Sequence, residues 1–174
     1  MSNQSVAAKV QANLPELFKS NLAPGNAYIK FQLTSDITAL LSTDRVEESL
    51  IVKAEQITTL PSMPKSAIGM MASRDRVFCV FDLAQLLTLP SKLITPRQYQ
   101  IIVLQTTDQT PIQVGLAVNS VQGIMRLATK QISSSTDAVS PQIAPYISGA
   151  VNVEQTTIPV LEFERILQAL ETLL

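Results

Sequence analysis

The chain has 174 residues, 46% of them hydrophobic and 16% charged, with a net charge of −1. That length suits one domain or two closely joined halves with a sizeable core, and the near-neutral balance gives no electrostatic footprint for nucleic acid or an anionic membrane. Histidine and tryptophan are absent, glycine occurs five times and cysteine once, which excludes an imidazole base, a histidine-ligated metal, a Gly-rich phosphate loop and an intrachain disulfide.

Residues 1–26 read as an N-terminal extension. Val6, Val10 and Leu14 are four apart, which predicts a short helix before Pro15. Met1 to Val10 has no basic segment followed by an apolar core, and no run of about 18 apolar residues follows, so neither a secretory signal nor a bilayer span is expected. A cytoplasmic location is the plain expectation, in keeping with a single thiol.

From Tyr28 the period becomes two. Tyr28–Leu33, Ile37–Leu41, Glu47–Lys53 and Gln56–Leu60 read as strands, Pro61 to Pro64 as a corner and Lys65 to Ile68 as a helical turn. Gly69–Ser73 and Arg76–Phe81 form a predicted hairpin around Arg74-Asp75. Its second strand is apolar on both faces and so is expected to run through the interior. Asp82 is placed as the N-cap of a helix bearing Leu83, Leu86 and Leu87, and residues 90–98 as the crossing between halves. In the second half the predicted strands are Gln100–Gln105, Val114–Val118, Val121–Leu127, Gly149–Val153 and Thr156–Leu161. Glu162–Leu174 follows as an amphipathic helix.

One feature repeats at a fixed offset of 80. Pro61, Gly69 and the run from Val77 to Leu87 have counterparts at Pro141, Gly149 and Thr157 to Leu167. Both copies read proline, glycine, hairpin, apolar strand, acidic residue, amphipathic helix, which argues for two copies of one supersecondary unit. The expected fold is mainly β: two five-stranded β-barrel subdomains sharing a hydrophobic core, with short peripheral helices and a C-terminal helix. The domain over 27–174 divides into subdomain one at about 27–90, subdomain two at about 91–161 and the helix 162–174.

Gly69 to Leu83 resembles the glycine, turn arginine and Val-Asp-Leu stretch of CheW-like domains, the coupling domains of bacterial chemosensory systems. Tyr28–Leu33 is similar to their first strand, Ile57–Pro61 to the segment before the glycine, and Val114–Val121 to their "VGLVVDxV" segment. The resemblance runs in order over about residues 27–170. It implies SH3-like barrels and an adaptor without enzymatic activity, cofactor or metal. The implied partners are the cytoplasmic tip of a methyl-accepting receptor and the regulatory domain of a CheA-type histidine kinase, in chemotaxis, phototaxis or pilus-driven motility. It also implies Val46, Glu48, Gly69 and Arg74 as receptor- or kinase-contact candidates. This chain departs from the pattern at Asp75, where a glycine is usual, at Ala72-Ser73, where Asn-Leu is usual, and at Asn119, where an aspartate is usual.

Glu48 and Arg74 are expected to pair, and Arg74 has no cationic counterpart in the second copy, where Glu154 stands. Glu47 and Glu48 are not expected to act together, because neighbours on a strand point to opposite faces. Cys79 reads as a core residue, Met63, Met70 and Met71 as core filler, and Gly69 and Gly149 as positions that a side chain would hinder. The competing reading is a small barrel that binds a small ligand or nucleic acid. No nucleophile, base and oxyanion donors can be assembled into an enzyme.

Overall fold

The structure, a computed structural model, describes residues 25–93, 96–106, 110–134 and 137–173. The helix expected near Val6–Leu14, and all of the N-terminal extension before Gly25, lie outside the described residues. In chain order the elements are β1 (Asn26–Gln32), β2 (Thr38–Ser42), β3 (Val46–Lys53), β4 (Ala67–Ser73), β5 (Arg76–Asp82) and α1 (Leu83–Leu86). Then come β6 (Gln98–Gln105), β7 (Gln113–Val118), β8 (Ser120–Leu127), β9 (Ile147–Val153), β10 (Thr156–Leu161) and α2 (Phe163–Leu173).

The strands form two five-stranded sheets, each a barrel-like half. Barrel one has the order β8-β1-β2-β10-β9 and barrel two β3-β6-β7-β5-β4. The repeat is real down to the pairing. Antiparallel β1–β2 matches β6–β7, β1–β8 matches β6–β3, and β9–β10 matches β4–β5. Parallel β2–β10 matches parallel β7–β5.

The barrels do not follow the halves of the chain, however. The expected division near residue 90 separates the two repeats, whereas barrel one takes β1 and β2 from the first repeat and β8, β9 and β10 from the second. Barrel two takes the complementary set. A division drawn along the chain assumes that strands pair with sequence neighbours. Here the parallel ladder of Val160 and Leu161 with Leu40 and Leu41 joins opposite ends of the domain.

Strand alternation explains why so many strands are apolar on both faces. On β6, Ile101 and Val103 point into barrel two, while Ile102 and Leu104 point into a layer shared with barrel one. On β2, Leu40 fills barrel one, while Ala39 and Leu41 join the shared layer. Phe78 and Val80 of β5 fill barrel two, and Phe81 joins the shared layer. Ile166 and Leu170 of α2, with Leu83, Leu86 and Leu87 around α1, close that layer from outside. The expected helical cap is present: Gln85 N–H donates to Asp82 Oδ1 at 3.2 Å, and the Ser91 hydroxyl donates to the other carboxylate oxygen, tying the crossing segment to the end of β5.

Two local expectations fail. Gln56–Leu60 is not a strand: Ala54–Gln56 is a 3-10 turn, and Thr58 makes only an isolated bridge to Met70. Lys65–Ile68 is not helical, because β4 already begins at Ala67. The isolated bridge has its counterpart between Ser133 and Ala150. It explains the two repeated glycines. A Cβ on Gly69 would collide with the Thr58 carbonyl oxygen, and one on Gly149 with that of Ser133.

Gly69→Ala and Gly149→Ala are each expected to lower stability by about 1–3 kcal/mol through overpacking against backbone, read as a lower urea midpoint at unchanged slope. A second expectation concerns alkaline pH. Burial, and secondarily the Asp82 carboxylate, raise Tyr99 above its ordinary value of 10.0. The fold therefore favours the neutral phenol. The stability this contributes is intact below about pH 10 and falls as pH rises through the folded-state value. Tyr99→Phe is expected to flatten the loss of stability above pH 10 in urea titrations run at successive pH values.

Candidate contact surface at the tip of barrel two

The site forms where the start of β3, the β4–β5 hairpin and the start of β7 meet. In the β3–β6 ladder Val46 opposes Leu104 and Glu48 opposes Val103, so Glu47 is an extra, bulged residue. A bulge breaks strict alternation and re-aims a side chain. Both carboxylates consequently reach the hairpin tip, contrary to the opposite-face expectation.

The expected Glu48–Arg74 pair is present, with Arg74 Nη2 3.4 Å from Glu48 Oε2. The Arg74 side chain is 82% exposed and that of Glu48 is 21% exposed, so the guanidinium stays available to a partner while its anchor is set back. A second pair lies beside it, with Arg76 Nη1 3.3 Å from Glu47 Oε1, and the Gln113 amide donates to Glu47 Oε2. These side chains, with Ser73 and Asp75, line a cleft of about 350 Å³. Three carboxylates face two guanidinium groups there.

The hairpin is closed by Ser73 opposite Arg76. Its left-handed residue is Arg74, at φ 57°, and Asp75 is not left-handed. The left-handed position thus falls on Arg74, one residue before the Asp75 that replaces the family's usual glycine. In the second copy both Glu154 and Gln155 are left-handed, at 47° and 68°.

Of the four candidates, the structure joins Glu48 and Arg74 and places Val46 one step away. Val46 is half-buried against the shared layer and fixes the strand rather than facing outward. Gly69 is buried against Thr58 at the far end of β4 and does not join the cluster. Sequence reasoning missed Glu47, Arg76 and Gln113. Arg76 was readable as the residue closing the turn. Glu47 required the bulge, and Gln113 required the parallel β5–β7 pairing, neither of which leaves a local signal.

The start of β3 is held from outside by Arg45. Its guanidinium carbon stands 5.0 Å from the centre of the Phe163 ring and its Nη2 3.4 Å from Glu164 Oε1, which ties β3 to the first turn of α2. In barrel one the bulged residue equivalent to Glu47 is Gln122, lying between the paired Gly123 and Val121. It donates to Gln32 and bears no charge. The tip of barrel two carries three carboxylates and two guanidinium groups, whereas the equivalent positions of barrel one carry only the charge of Glu154.

Among the described residues no three His, Cys, Asp or Glu side chains come together to hold a metal, and no helix is long and apolar enough to cross a membrane.

Two five-stranded barrels built from exchanged repeats define a double-barrel module. The match to the CheW-like domain model over residues 28–171 makes the assignment specific: the chain belongs to the CheW-like domain family. Among solved structures it is similar to the scaffolding protein TtCheW from Thermoanaerobacter tengcongensis, with a TM-score of 0.67 over 80% of this chain and 90% of that one, at 17% identity. A comparison with curated protein sequences gave no match.

Arg74→Gly separates backbone demand from charge. Glycine removes the cost of a left-handed L-residue, about 1–2 kcal/mol, while the exposed pair contributes only about 0–1 kcal/mol. In urea unfolding Arg74→Gly is expected to be at least as stable as Arg74→Ala. The reverse order would show that the turn does not hold Arg74 against its preference.

Proposed function

We propose that the chain is a non-enzymatic signalling adaptor that couples a methyl-accepting chemoreceptor-type sensor to a CheA-type histidine kinase, in chemotaxis, phototaxis or pilus-driven motility. Family membership across residues 28–171 supports the scaffold role. The observation that carries the finer reading is the Glu48–Arg74 pair, which joins two positions that the family resemblance associates with partner contact.

The mechanism is geometric. One barrel docks on the regulatory domain of the kinase, and the groove between barrels receives the receptor tip. The shared apolar layer holds the two surfaces in fixed relation, so that a shift at one is felt at the other. Outer strands β3, β4, β8 and β9 offer edges for such docking. An interface of about 800 Å² per partner suits a reversible array component. Exposed ion pairs add little stability, so the value of the charged tip lies in register and choice of partner.

The test measures binding of the purified chain to a kinase regulatory domain and to a receptor-tip fragment from the source organism, with Glu48→Ala, Arg74→Ala and the double variant. The expected outcome is a loss of about tenfold for each single variant toward at least one partner, with the double variant no worse than either single, the signature of coupled residues. Absence of binding to both partners would end the adaptor reading. Additive losses would keep the adaptor and show that Glu48 and Arg74 act on the partner independently, not as a coupled pair.

A further inference from the structure

The pseudo-symmetry supplies a test of coverage: what one barrel covers with its own chain can be compared with what the other leaves bare. On the outer face of barrel two, the parallel β5–β7 register carries apolar pairs outward from the shared layer. Phe81 and Leu116 are buried and Cys79 and Val114 half-buried. Val77 and Ile112 follow at the open end, 66% and 59% exposed. The strip is thus continuous with the packing between barrels, and its last two residues stand in water. Their counterparts on barrel one, Thr157 and Ile37, are both half-buried.

The difference has an identifiable source. In barrel one the face is walled by Ala138 to Ile143 of the β8–β9 connection and by Leu89-Pro90. Together with Ile37 and Thr157 they bound a cleft of about 450 Å³. Val139 and Ile143 reach the shared layer from that side. In barrel two the equivalent β3–β4 connection is five residues shorter between its isolated bridge and the next strand. The repeat offset is 75 at the isolated bridges (Thr58 to Ser133) and 80 at the next strands (Ala67 to Ile147). No residue of the β3–β4 connection lines the cleft beside Val77 and Ile112.

We propose that the strip ending in Val77 and Ile112 receives a segment of another polypeptide that does on barrel two what residues 138–143 do on barrel one: a short, proline-compatible stretch, uncharged at its centre, with two aliphatic side chains four positions apart. Its rim, with Arg76, Gln105 and Gln113 beside Pro111, gives polar flanks around a small apolar centre, the usual anatomy of a protein contact. Only the statement that the segment comes from another polypeptide rests on the adaptor reading. The uncovered strip stands on the geometry.

The probe is the chain's own covering segment as a synthetic peptide, Asp137 to Ala144, added to full-length protein carrying labelled Val, Ile and Leu methyl groups. Saturable shifts are expected at Val77, Ile112 and Val114. They should weaken at least tenfold in Val77→Ser and in Ile112→Ser, both exposed and therefore tolerable to the fold, and for a peptide in which Val139 and Ile143 are both serine. No saturable shift at these methyls, or equal binding of the serine peptide, overturns the proposal. Shifts that grow with protein concentration in the absence of peptide would assign the strip to a second copy of this chain, and overturn the choice of a foreign segment. Neither receptor nor kinase is present in this experiment, so its failure and the failure of the adaptor reading are separate events.

Discussion

The apolar layer between the two barrels is the constraint on which the rest depends. It takes Ile29, Phe31 and Leu41 from one barrel and Phe81, Ile102 and Leu116 from the other, and both helices press on it. A strand that lines a barrel with one face and this layer with the other must be apolar on both. Period-two alternation then survives as a choice between two interiors, not between core and water. Exchange of strands between the repeats adds a topological tie, since each barrel takes strands from both repeats and barrel one joins β1 and β2 to β8, β9 and β10 across the whole of barrel two. The result is one cooperative body with two nearly equivalent ends.

On the proposed adaptor role, function enters through the departures from that equivalence. The same bulge occurs in β3 and β8, yet it presents Glu47 in one and Gln122 in the other. The same hairpin presents Arg74 and Arg76 in the first repeat, and Glu154 and Thr156 in the second. In that proposed role, two barrels alike in backbone and unlike in charge would favour different partners, because a surface arranged for one set of charges repels another. Under that proposal a duplicated scaffold becomes directional without any change of fold. Arg45, packed on Phe163 and Glu164, sets the approach of β3 to the charged tip and so links the C-terminal helix to it.

Much of this was legible in the chain. The 80-residue offset identified the repeat, the doubly apolar run from Val77 to Phe81 identified an interior strand, and Asp82 announced its helix. The family pattern pointed to Glu48 and Arg74, which the fold does join. The exchange of strands was not legible, because nothing local distinguishes a strand that pairs with its neighbour from one that pairs with the far end. The bulge at Glu47 was equally hidden. Alternation is the rule that makes strands readable, and a bulge is a one-residue exception that only the partner strand reveals. Gly69 shows the opposite limit: its need for a bare backbone was readable, but its neighbour Thr58 was expected in a regular strand and instead makes one bridge.

The central claim is that the barrels form a single unit held by their common layer. Native-state hydrogen exchange under increasing denaturant tests it most directly, comparing the amides of Leu40 and Leu41 in barrel one with those of Ile101 to Val103 in barrel two. The account predicts that both sets open with the same free energy, equal to that of global unfolding, and the same denaturant dependence. Protection that is lost in one barrel while it persists in the other would contradict it.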